Sequence, residues 1–180
     1  MRIDQPFKYI GTAVCPTCDV QCSPEINPEH FKDNTIRQDS FEQHRCTETI
    51  FLRFRETMDS WVDFNIIDYP LFENYCNAVW YYLEFLREHY EFSDYCAIIA
   101  NLKPGGSIPP HIDSGPYFDK SHRIHIPIKT NSQVLFQIGD LPSFHMEEGK
   151  AYEIDNCGSQ HQVVNYSNED RYHIIFDLFC

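Results

Sequence analysis

Residues 95–129 read "YCAIIANLKPGGSIPPHIDSGPYFDKSHRIHIPIK", and the fold turns on how this stretch is divided. Each end is a short apolar run rich in isoleucine, the pattern of a strand. Between them, residues 102–117 hold four prolines and three glycines around one histidine and one aspartate, His111 and Asp113. Proline fixes φ and lacks a donor, and glycine favours turns. The middle is therefore predicted to be a loop, neither strand nor helix, that holds the two side chains at an element boundary.

Working outward, everything from Asp94 reads as short strands. "YCAIIANL", "RIHIPIK", "QVLFQIG", "SFHME", "AYEID", "HQVVNY" and "RYHIIFDLF" follow one another, separated by Pro, Gly, Asn and Asp turns. That is the signature of a β-sandwich or jelly roll, with a core over residues 94–178. Upstream, Leu71, Phe72, Tyr75, Val79, Leu83 and Leu86 recur at spacings of three and four. They predict an amphipathic helix from Tyr69 to Tyr90, opened by Pro70 in its first turn and covering an outer sheet face. "TETIFLRFRE", residues 47–56, is predicted to be a half-buried strand. Its alternation puts Ile50, Leu52 and Phe54 on one face and Phe51, Arg53 and Arg55 on the other. Residues 1–48 are polar and irregular and read as a cysteine-containing lead-in that wraps the core.

Composition bounds what such a chain does. Its 180 residues, 42% hydrophobic and 15% aromatic, suit one packed domain spanning 1–180. Fourteen Lys and Arg against 27 Asp and Glu leave a net charge of −13, which repels nucleic acid and anionic membrane surfaces alike. The N-terminus lacks an apolar signal region and no stretch approaches a membrane span, so a soluble, cytoplasmic protein is expected. Of the eight cysteines, Cys76, Cys96, Cys157 and Cys180 sit singly among apolar residues and read as small buried thiols. Cys15, Cys18 and Cys22 in "CPTCDVQC", with Cys46 and with His30 and His44 nearby, allow a structural zinc site or a redox pair. The second knuckle of a usual zinc motif is missing, and unpaired reduced thiols are the plainer reading.

Within the β half three side chains can converge: His111, Asp113 and His161. Two imidazoles and one carboxylate on one face of an octahedral metal leave three positions open, as non-haem iron(II) oxygenases require. A polar turn pair is the commoner meaning of an isolated His-x-Asp. Beyond His161 lies Arg171 in "EDRYHIIFDLF". A guanidinium pointing into a barrel needs an anion, and its fork suits a carboxylate; an internal pair with Asp177 or Glu169 is the structural alternative. Arg123 and His125, two apart in "HRIHIPI", share a strand face opposite Ile124 and Ile126, so cofactor contact and a plain surface location both fit.

Together, "LKPGG", "HID", "HRIHIPI", "EIDN", "HQVVN" and "RYHIIFD" resemble the aspartyl/asparaginyl β-hydroxylase family of 2-oxoglutarate- and iron(II)-dependent dioxygenases. "QHRCTETIFLRF" is similar to the His-x-x-Thr segment preceding the barrel in small bacterial and phage-like members. The likeness spans roughly residues 41 to 178, and it is the ordered set of motifs that makes it specific. It implies a double-stranded β-helix (a cupin-like jelly roll) and iron bound by His111, Asp113 and His161. It further implies Arg171 on the distal carboxylate of 2-oxoglutarate, with Arg123 and His125 in support. Asn156 and Asn165 match recurring polar positions that orient a metal ligand, touch substrate or cap a turn. The animal enzyme that names the family lacks a carboxylate ligand, whereas this chain has Asp113, so the namesake's substrate does not carry over.

The resemblance implies hydroxylation of an unactivated C–H with release of succinate and CO2, using iron(II), 2-oxoglutarate and O2. The substrate class left open is an amino-acid residue, a peptide or a small amino-acid-like metabolite. A cupin-type metalloenzyme without oxoglutarate would share the jelly roll but normally carries His-x-His with a following Glu. A non-catalytic, metal-stabilised binding protein is the other alternative. Tyr117 and Phe118, just after the metal loop, either line the mouth of a pocket or pack on the surface.

Overall fold

Side chains along "RYHIIFDLF" alternate between two environments, and the rest of the molecule is arranged around that strand. The computed structural model describes residues 3–13, 23–32, 35–40, 42–57 and 64–180. In chain order the strands are β1 (Phe7–Thr12), β2 (Thr47–Arg55), β3 (Ile66–Asp68), β4 (Asp94–Leu102), β5 (Ser107–His111), β6 (Ser121–Lys129), β7 (Val134–Ile138), β8 (Lys150–Ile154), β9 (His161–Asn165) and β10 (Arg171–Phe179). The helices are α1 (Ile36–Ser40), α2 (Phe72–Arg87) and α3 (Pro116–Asp119). A seven-stranded antiparallel sheet, ordered β1-β8-β6-β10-β4-β2-β3, faces a three-stranded one, β5-β9-β7. This is the expected mainly-β jelly roll with a flanking helix. Among the described residues no helix is long and apolar enough to cross a membrane.

The large sheet is apolar on its outer face. Ile174, Phe176 and Leu178 of β10, with Ile124 and Ile126 of β6, pack against Val79, Tyr82, Leu83 and Leu86 of α2. The helix is shorter than its periodicity predicts: Pro70 lies in the turn before it, and Phe72 N–H donates to the Tyr69 carbonyl at 2.9 Å. Between the sheets, Leu102, Val134, Phe136, Ile138, Tyr152, Ile154 and Val163 form a second apolar cluster.

Four local features depart from the sequence reading. First, the lead-in contains β1, hydrogen-bonded along β8 at the sheet edge. Its mixed burial hides it from any period-two test. Second, β2 is buried almost throughout, not half-buried, and its pairing with β4 slips between Phe51 and Arg53. That bulge turns Phe54 away from Ile50 and Leu52, so it packs with Phe51 instead. Third, "SFHME" yields only a single bridge, Phe144 with Phe136.

The fourth concerns the supposed loop, which contains strand β5 despite Pro109 and Pro110. β5 is an edge strand paired on one side with β9, and the register shifts between Ile108 and His111. Prolines are tolerated where no ladder donor is needed. The preceding turn needs its glycines: Gly105 has φ +67°, and a Cβ on Gly106 would come within 2.9 Å of the Lys103 carbonyl oxygen.

Candidate metal centre and flanking cavities

The shift in β5 brings His111 opposite His161 as a cross-strand pair. Asp113 follows two residues later, its N–H donating to the Asn156 carbonyl at 2.9 Å. One ligand atom from each of His111, Asp113 and His161 lies within 4.8 Å of the other two, and His111 Nε2 is 3.7 Å from Asp113 Oδ1.

The surroundings leave metal-facing atoms free. His111 Nδ1 bonds the Pro109 carbonyl at 2.8 Å and His161 Nδ1 the Ser159 carbonyl at 3.3 Å. As N–H donors at Nδ1, both rings keep an Nε2 lone pair for a cation. Asp113 Oδ2 accepts from Arg123 Nη1 at 2.7 Å and Asn156 Nδ2 at 3.0 Å, which leaves Oδ1 turned towards the histidines. Burial pushes the Asp113 pKa up, but Arg123, His161 and the Asn156 amide outweigh it and hold it at about 2. Burial depresses His161 to about 4 against the pull of Asp113. One carboxylate oxygen and two imidazole nitrogens are a donor set that fits a first-row divalent metal.

Two cavities meet at this centre, with Arg37, His44, Asp113 and Arg123 lining both. The first runs between the sheets, past His125 and Phe136 to Arg171. Arg171 is 3% exposed, and neither Asp177 nor Glu169 pairs with it. Its Nε has no partner, and among the described residues no carboxylate reaches it. Burial, then the nearby Arg37, lowers its pKa to about 9. Its guanidinium lies over the face of Phe136, 5.5 Å from the ring centroid. A buried, uncompensated guanidinium costs several kcal/mol, so the site is built for an anion.

Arg123 and His125 face inward, but differently from Arg171. The Arg123 fork closes on Asp177 at 2.7 and 2.8 Å and its third nitrogen on Asp113, so the side chain braces the acidic ligand. Tyr117 OH donates to the same Asp177 at 2.8 Å. Tyr117 is thus buried behind the site, neither at a mouth nor on the surface, whereas Phe118 lines the second cavity. His125 Nδ1 lies 3.4 Å from His173 Nδ1, and the Nε2 atoms of both are buried without a partner. Burial first, then neighbouring cations, pushes both rings well below the ordinary histidine pKa. Asn165 is fully buried and ties the "LKPGG" turn, donating to the Leu102, Lys103 and Glu169 carbonyls.

Sequence reasoning missed Arg37, which reaches both cavities from α1, and the Asp177 partnership with Arg123. Asp177 carries a visible signal, since Arg171, His173, Ile175 and Asp177 alternate on one face. Arg37 carries none. The His-x-x-Thr segment is explained locally: Thr47 Oγ1 donates to the His44 carbonyl at 2.7 Å and pins His44 in the cavity wall. Cys15, Cys18 and Cys22 lie outside the described residues. Cys46 is exposed, and His30 Nδ1 bonds Tyr75 OH at 2.8 Å.

Residues 28–179 match the family described as aspartyl/asparaginyl beta-hydroxylase. No curated protein matches the chain in sequence. Among solved structures, an oxidoreductase of the 2OG-Fe(II) oxygenase family from Burkholderia pseudomallei superposes with a TM-score of 0.54 at 13% identity, covering 76% of this chain and 69% of that one. A cupin domain from Bordetella pertussis matches more locally, with a TM-score of 0.38 at 16% identity, over 51% of this chain and 88% of that one.

Proposed function

This chain belongs to the aspartyl/asparaginyl β-hydroxylase family, and from that premise we propose that it is an iron(II)- and 2-oxoglutarate-dependent hydroxylase. Its target is an unactivated C–H bond in an amino-acid residue, a peptide or a small amino-acid-like metabolite. The supporting observation is Arg171: a buried cation with no counter-ion among the described residues, in the same cavity as a two-histidine, one-carboxylate cluster. A dicarboxylate cosubstrate would give the guanidinium its anion and the metal-binding cluster an oxygen donor. A metalloenzyme using no such cosubstrate has no use for that charge.

His111, Asp113 and His161 would hold the iron. When bound, the metal with O2 supplies the oxidation, in which 2-oxoglutarate becomes succinate and CO2 while the substrate C–H becomes C–OH. The protein's part is placement. Arg171 takes the distal carboxylate through its fork. Arg123 and Asn156 keep Asp113 ionised and aimed, and the carbonyls of Pro109 and Ser159 keep both imidazoles in the ligating tautomer. Phe136, Ile154 and Val163 exclude water from the cosubstrate cavity. We read residues 1–180 as one domain acting on small-molecule or peptidyl substrates, and the net charge of −13 supports no role with nucleic acid.

Arg171→Gln tests this reading. It should weaken 2-oxoglutarate at least about tenfold, measured by calorimetry on the iron(II)-loaded protein under argon, with iron affinity unchanged. A variant that unfolds, with cosubstrate affinity intact in the folded fraction, would make Arg171 structural and remove the argument.

A further inference from the structure

The second cavity shares Asp113 with the first but touches no residue of β9, and has a volume of about 280 Å³. Its walls are mixed: Phe51, Phe54, Ile98, Ile112 and Phe118 form an apolar part, beside polar and charged side chains that include Arg37, Asp113 and Arg123. Arg37 projects into this setting from α1. Among the described residues no carboxylate lies within ion-pair distance of it, and no hydrogen bond engages its guanidinium. Arg123, the other cation in the wall, is saturated by Asp113 and Asp177.

A charge count shows what Arg37 is for. In the assembled centre, a divalent metal and Arg171 balance Asp113 and a dianionic cosubstrate, while Arg123 and Asp177 cancel. Arg37 is therefore one positive charge in surplus. A partly buried cation with no ion-pair partner among the described residues is stabilised by an anion that arrives with the ligand. Asp113, committed to metal and Arg123, is the only acidic residue lining the cavity among those described, so a ligand ammonium would find no counter-charge.

Resting on the dioxygenase reading, we infer that the substrate is a small carboxylic acid bearing a net negative charge, its carboxylate on Arg37 and its aliphatic or aromatic body against Phe51, Phe54 and Phe118. The sign runs opposite to the acidity of the whole chain. Local pairing decides the preference of a pocket, and net charge does not. The body lies in the cavity that also contains Asp113, beside the metal cluster, so the C–H to be oxidised belongs to the apolar part and the carboxylate serves for recognition.

The test uses wild type, Arg37→Gln and Arg37→Lys, each loaded with iron(II) and saturated with 2-oxoglutarate under argon. Calorimetric titrations compare 3-phenylpropionate and 4-methylpentanoate with their uncharged amides and with the zwitterion phenylalanine. Wild type should bind an acid at least about tenfold tighter than its amide or the zwitterion; Arg37→Gln should abolish that preference and Arg37→Lys keep part of it. The 2-oxoglutarate affinity of Arg37→Gln should stay within about twofold of wild type. Equal binding of acid and amide, binding of phenylalanine alone, or no binding of either acid at millimolar concentration would overturn the inference. So would an Arg37→Gln variant that loses cosubstrate and keeps the acid preference, since Arg37 would then serve 2-oxoglutarate. Failure of the underlying reading looks different: wild type would bind no 2-oxoglutarate, whatever the acids do.

Discussion

The two faces of β10 share one backbone and do opposite work. Outward, Tyr172, Ile174, Phe176 and Leu178 join an apolar cluster with α2. Inward, Arg171, His173 and Asp177 carry a buried cation, a neutral imidazole and a carboxylate, with Ile175 and Phe179 the apolar members. The period of two in a strand keeps these sets apart while the same ladder hydrogen bonds to β4 and β6 hold both. Stability is concentrated on one side, so the other can keep groups that are costly to bury.

If that division holds, truncation on the outer face should cost folding and spare the site. Phe176→Ala, at a fully buried position, should destabilise by about 3–5 kcal/mol in denaturant unfolding. The protein that remains folded should bind iron(II) as wild type does. Loss of iron affinity in that fraction would break the comparison.

On the inner face the order reverses. Asp177→Asn removes the anionic partner that fixes the Arg123 fork, and through it Asp113. Iron(II) affinity should fall about 10- to 100-fold, the size expected for losing an outer partner of a metal ligand. Unchanged affinity would show that Arg123 is held well enough by Asp113 alone.

The smallest effect is expected from His173, stacked on Phe136 at 5.5 Å and fully buried. Its pKa lies well below the ordinary value, through burial first and then Arg171 and His125. The native state therefore binds fewer protons than the unfolded chain. Its stability is intact above about pH 6.5 and is lost as the pH falls below that, with a slope of up to about 1.4 kcal/mol per pH unit. His173→Phe should flatten this fall by about 1 kcal/mol at about pH 5.5, read from unfolding curves of the two proteins across that range. Parallel curves would mean that His173 is protonated in the folded state.

Much of this was legible in residues. Alternation in "RIHIPIK" and "RYHIIFDLF" reports which side chains point inward, because both strands are central and the one register shift between them falls at the start of β10. The His-x-Asp pair stood out through the turn residues around it. What stayed hidden depended on partners far away in sequence. β5 was masked by Pro109 and Pro110, whose tolerance comes from an edge position that no local pattern reveals. The facing of Phe54 followed from one bulge. Arg37 sits in an acidic, irregular segment, and only the fold shows that no carboxylate among the described residues meets it. The engagement of Arg123 by two carboxylates at once likewise needed β6 and β10 in register and the turn after β5 brought over them.

The most direct measurement is an anaerobic titration of the iron(II)-loaded protein with 2-oxoglutarate, following the weak visible charge-transfer band of the chelate. The account predicts a saturable band in wild type that is absent in His161→Ala. Iron bound without any band would contradict it and leave a metal site that takes no oxoglutarate.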